Sequence, residues 1–130
     1  MVEVESGSEQ SGFVSGSNLA HVKGTAEPAL EDITISSFLA RTVSRHGNRD
    51  ACIFSEFGER WTWDQLAQKV DQLSAGLLAL GIYKGDRVGI WAPNRPEWVL
   101  TQFATARIGA ILVNINPAYR RTELEYALAK

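Results

Sequence analysis

The sequence predicts an α/β fold, a partial parallel sheet with covering helices. Three observations carry that prediction. From residue 51 onward, short apolar runs of strand length alternate with longer stretches of helical periodicity. The helical stretches are bounded by capping residues at one end and glycines at the other. The connections between them are short, as they are where parallel strands lie side by side under crossover helices.

Residues 1 to about 30 are rich in Ser, Gly and Glu and have no sustained periodicity. They offer too little apolar surface to offset the entropy lost on ordering, so a flexible N-terminal arm over 1–30 is expected. Phe13, Val14, Leu19 and Val22 are available to pin it loosely. The remaining residues, 31–130, are expected to belong to one domain.

Ile35, Phe38, Leu39 and Val43 fit one helical face, with Gly47 as terminator. Ala51 to Ser55 reads as a strand, Glu56-Phe57-Gly58-Glu59 as a hairpin turn and Arg60-Trp61-Thr62 as the returning strand. Thr62 and Gln65 have the spacing of a capping box. Leu66, Val70, Leu73, Leu77 and Leu80 then repeat at alternating spacings of four and three, and Gly81 closes that helix.

Lys84-Gly85-Asp86 turns the chain into the strand Arg87 to Trp91. Asn94 is placed to cap a helix whose first turn holds Pro96 and Glu97. Trp98, Val99, Phe103, Ala106 and Ile108 form its packing face, and Gly109 ends it before the strand Ala110 to Val113. Last come Thr122 and Glu125, again at capping-box spacing, with Leu124 and Leu128 starting an apolar face. No Gly, Asn or Pro follows, so the chain is expected to be an incomplete piece of its domain.

Composition narrows the function. The net charge of −2 and the lack of a Lys/Arg block argue against a nucleic-acid binder. A lone cysteine, Cys52, excludes an internal disulfide framework and any multi-cysteine zinc site. The acidic, polar first residues lack both a secretory signal and an Arg-rich transit peptide, and no apolar run reaches the roughly 20 residues of a membrane span. A cytoplasmic location is the default expectation, with peroxisomal or other C-terminal targeting left open.

The motif search is largely negative. There is no G-x-x-x-x-G-K-[ST] phosphate loop, no G-x-G-x-x-G turn and no G-x-S-x-G elbow. Gly81, Gly85 and Gly89 precede a strand, the wrong side for a pyrophosphate cradle. His21 and His46 lack partners nearby in sequence and read as bland. Cys52 reads as a buried, inert thiol, and Trp61, Trp91 and Trp98 as core rather than a stacking platform. Arg120 and Arg121 read as a solvated turn rather than a phosphate clamp. No catalytic, cofactor-binding or metal-binding residue is assigned.

Two segments resemble the adenylate-forming (AMP-binding) superfamily, which includes acyl-CoA synthetases. RWTWDQL, Arg60 to Leu66, looks like its first core motif, and ATARIGAILVNINPAYRRTELEYAL, Ala104 to Leu128, like its second. V-N-x-N-P-A-Y and E-L-E-Y resemble the medium- and long-chain fatty acid–CoA ligase branch. Trp61 and Trp63 stand where Leu and Tyr are usual, and Arg107-Ile108 replace Lys-Ala.

The resemblance implies that residues 31–130 are the first portion of the large N-terminal domain of such an enzyme, completed by the rest of the adenylation domain. It implies a reaction in which a fatty acid attacks the α-phosphate of ATP, after which coenzyme A displaces AMP. ATP, Mg²⁺ and coenzyme A are then cofactors of the complete enzyme and none of this chain. The T-S-G-T-T-G-x-P-K-G loop and the family's catalytic Glu, Asp and Lys have no counterpart here, so the chain is expected to be inactive alone. A short non-catalytic binding or regulatory module is the alternative. Positions from Trp98 to Phe103 are candidates for lining an acyl tunnel, with core packing as the competing role.

Overall fold

The computed structural model describes residues 24–25 and 27–129. Most of the expected arm lies outside the described residues, including Phe13, Val14, Leu19, His21 and Val22. In the unit Met1–Glu31 the described residues are exposed, and Thr25 Oγ1 donates to the Glu27 carbonyl at 2.9 Å. The unit Asp32–Lys130 carries all the regular structure described below.

Helix α1 spans Ile35–His46. Thr34 caps it, its hydroxyl accepting the Ser37 N–H at 3.1 Å, and Arg45 and His46 complement the dipole in the last turn. Gly47 is the C-cap and ends α1 as expected, but it is right-handed, with φ −44°, so left-handed freedom is not what calls for a glycine there. Its missing side chain instead leaves room for the Asp64 carboxylate, which occupies the space a Cβ would fill. The same loop accepts the first N–H groups of the next helix, Trp63 to the Arg49 carbonyl at 3.0 Å and Asp64 to the Gly47 carbonyl at 2.9 Å.

Strands β1 (Asp50–Phe54) and β2 (Glu59–Thr62) form an antiparallel pair with Cys52 opposite Trp61 and Phe54 opposite Glu59. A 3₁₀ turn over Ser55–Phe57 and left-handed Gly58, φ 65°, close the hairpin. Helix α2 (Trp63–Ala79) starts on the expected capping box: the Gln65 N–H reaches Thr62 Oγ1 at 3.3 Å and Thr62 N–H reaches Gln65 Oε1 at 2.9 Å. It ends in a Schellman motif, with Ile82 N–H to the Leu77 carbonyl and Gly81 N–H to the Leu78 carbonyl. Leu66 and Val70 are fully buried, whereas Leu80, placed by its spacing on the same face, sits at the C-cap and is 80% exposed.

Strand β3 (Arg87–Trp91), helix α3 (Pro96–Ile108) and strand β4 (Ile111–Ile115) make one crossover unit, with β3 and β4 parallel and Arg87 level with Ile111. Gly109, left-handed at φ 76°, ends α3 as expected. The N-cap is Arg95, not Asn94, and no side chain caps it; Pro96 at N1 lacks an N–H to satisfy. The parallel sheet is smaller than the strand–helix alternation suggests. β2 stays beside its hairpin partner, so the described residues hold two two-stranded sheets.

Helix α3 packs against α1 and α2 on one side and against β3 and β4 on the other. Its apolar residues run around the whole helix, as this sandwiched position requires. The core comprises Leu39, Trp61, Leu66, Val70 and Ala104, with Phe54, Leu73, Val99 and Phe103 packed around it. Burying each large side chain there contributes about 1.5–3 kcal/mol. Ser74, buried between α2 and α3, donates to the Val70 carbonyl at 2.7 Å and lies 3.4 Å from that of Ala104. Asp71 and Arg107 bridge the same helices at 2.7 Å on the surface.

Helix α4 (Arg121–Ala129) begins two residues earlier than a cap at Thr122 would place it. Arg120 is the cap position: its carbonyl accepts the Leu124 N–H at 2.9 Å, and its own N–H reaches Glu123 Oε2 at 3.2 Å. Glu123, not Glu125, thus reaches back to the N-cap N–H, with no cap side chain to complete a capping box, and Glu125 pairs with Arg121 at 2.7 Å. No α4 residue among those described is buried.

Candidate functional site

The site is a half-open apolar groove of about 370 Å³, between the tip of the β1–β2 hairpin and the first turn of α3. That volume falls within the ordinary range of small-molecule clefts. Ile53, Phe54 and Phe57 form one wall, and Trp98 and Val99 the other. Ser55, Glu56, Asn94 and Arg95 make the polar rim.

Local sequence builds both walls. Gly58 lets the hairpin turn tightly enough to hold Phe57 at the tip. Pro96 starts α3 immediately after the rim residues, and Trp98 Nε1 lies 3.1 Å from both the Ala92 and Pro93 carbonyls, fastening the loop before the helix. The Arg95 guanidinium lies 5.3 Å from the centre of the Phe57 ring and 3.2 Å from Glu97 Oε2. The Glu97 carboxyl is held below the usual carboxylate range, first by its own backbone N–H and then by Arg95. An acidic group in the first turn of a helix is favoured there by the dipole.

Within the stretch Trp98 to Phe103, Trp98 and Val99 line the groove, and Val99, Leu100 and Phe103 pack on the core. Trp61 is core, edge-on to Phe54 with ring centres 4.9 Å apart, and Lys69 Nζ sits 4.9 Å from its ring centre. Trp91 departs from the core expectation: it is 48% exposed, on the sheet face away from α3, with Nε1 donating to the Asn116 carbonyl at 3.1 Å. Cys52 is half-buried, and burial pushes its thiol pKa up, as for an inert thiol. His46 is exposed at the end of α1; Arg120 and Arg121 are exposed at the start of α4. None of these comes together with a second reactive group.

Sequence reasoning gave Ile53, Phe57, Asn94 and Arg95 no role at a site; Phe57 was read only as part of a turn and Asn94 only as a cap. An exposed aromatic at a hairpin tip, Phe57 at 41%, is the signal that points to them.

Among the described residues, no group of three His, Cys, Asp or Glu side chains is placed to hold a metal ion. The sequence also has no glycine-rich phosphate loop, and no step through ATP, Mg²⁺ or coenzyme A is assigned to these residues. No helix among the described residues is long and apolar enough to cross a membrane.

The family model "AMP-binding enzyme" matches residues 39–130. The chain belongs to the AMP-binding enzyme family. Relatives support the same branch that the motifs suggested. The zebrafish (Danio rerio) protein named medium-chain acyl-CoA ligase ACSF2, mitochondrial, is 46% identical over 111 residues, covering 85% of this chain and 18% of that protein. Its human (Homo sapiens) counterpart is 44% identical over 112 residues, 86% of this chain and 18% of the other. The AMP-binding segment described here therefore spans less than a fifth of the length of these curated relatives.

Solved structures agree on the fold. The N-terminal subdomain of Klebsiella oxytoca NpsA in complex with anthranilyl-AMSN superposes with a TM-score of 0.69 at 26% identity, covering 74% of this chain and 24% of that one. A Rhodopseudomonas palustris structure assigned as a long-chain-fatty-acid CoA ligase gives 0.70 at 31% identity, covering 75% and 24%. The fold is thus that of the N-terminal subdomain of adenylate-forming enzymes.

The default cytoplasmic location is overturned by these relatives, whose names place them in mitochondria. A compartment address is a short segment read separately from the folded domain, so the acidic composition of the first residues was no guide to it.

Proposed function

We propose that this AMP-binding chain supplies the opening α/β portion of a mitochondrial, ATP-dependent medium- or long-chain fatty acid–CoA ligase. The complete enzyme would join a fatty acid to coenzyme A with conversion of ATP to AMP and pyrophosphate. The observation that carries this reading is 46% identity to a medium-chain acyl-CoA ligase across 85% of the chain. The part played by these residues is to position others. The hairpin, α2 and α3 form a packed base, and β3 and β4 offer a parallel pair on which further strands and helices of the domain assemble.

Catalysis depends on charge neutralisation and positioning at a phosphoryl centre, and those groups lie on other residues of the enzyme. ATP–pyrophosphate exchange with a medium-chain fatty acid tests the division of labour: the isolated chain is expected to give none. Coding sequence beyond Lys130 is expected to continue in frame into a Ser/Thr/Gly-rich phosphate loop. Exchange activity in the isolated chain, or an unrelated sequence downstream in every frame, would overturn the proposal.

A further inference from the structure

We draw no further inference here: the strongest candidate, the apolar groove between the hairpin tip and the start of α3, carries on its rim an Arg95 already engaged with Glu97 and Phe57, and nothing in the structure shows what covers it.

Discussion

Leu66→Ala is the sharpest probe of the packing scheme. Leu66 is 1% exposed, in the first turns of α2, within the cluster of Leu39, Trp61, Val70 and Ala104. Truncation removes the transfer energy of the lost methyl groups and leaves a cavity, a loss of about 2–5 kcal/mol. A unit of this size holds about 5–15 kcal/mol in total. At about 4–8 °C per kcal/mol, the melting temperature should fall by about 8–40 °C.

Leu80→Ala is the matched control. Its spacing places Leu80 on the same helical face, yet it is 80% exposed at the C-cap, so its truncation should cost no more than about 0.5 kcal/mol. Urea unfolding followed by far-ultraviolet circular dichroism measures both. Equal losses in the two variants, or a Leu66→Ala cost under about 1 kcal/mol, would refute the assignment of α2's buried face.

Other expectations test separate features. Gly109→Ala forces a left-handed residue, with its Cβ 2.9 Å from Lys84 Cγ, and should cost about 1–2 kcal/mol in the same unfolding assay. Gly76→Ala, mid-helix in α2 with open space around it, should instead stabilise by about 0.5–1 kcal/mol. Thr62→Ala removes one half of the capping box and should cost about 1 kcal/mol. For Cys52, alkylation at pH 8 should be slow in the folded chain and speed up in urea, because burial raises the thiol pKa. With the folded pKa above the unfolded one, the stability tied to the neutral thiol is present below about pH 8.5 and is lost as pH rises through the folded value.

Elements whose signals are local were legible in the sequence. The Thr62–Gln65 box, Gly81 and Gly109 act through one turn of backbone, and each is found in its expected role. What sequence spacing could not rank was competition between neighbouring candidates. Thr122 falls inside the first turn of α4, and Glu123, not Glu125, is the residue that reaches back to the Arg120 N–H. Arg95 displaces Asn94 because the fixed φ of Pro96 sets where α3 starts. Gly47 shows the limit of reading glycines by position, since its role comes from Asp64, seventeen residues on and adjacent only in the fold.

The groove was half legible. Trp98 and Val99 stood out as apolar positions, but their opposing wall comes from the hairpin tip, a contact between elements far apart in sequence. Trp91 misled because alternation along a strand says which residues share a face, not whether anything covers that face. Compartment was not legible at all.

The central claim is that these residues are the structural opening of a fatty acid–CoA ligase. Exchanging residues 39–130 for the corresponding segment of the human medium-chain acyl-CoA ligase ACSF2 tests it most directly, with acyl-CoA formation from a medium-chain fatty acid as the readout. The account predicts a chimera that melts cooperatively and forms the thioester within about tenfold of the parent rate, a barrier change of about 1.4 kcal/mol or less. A chimera that folds as stably as the parent yet forms no thioester would contradict it.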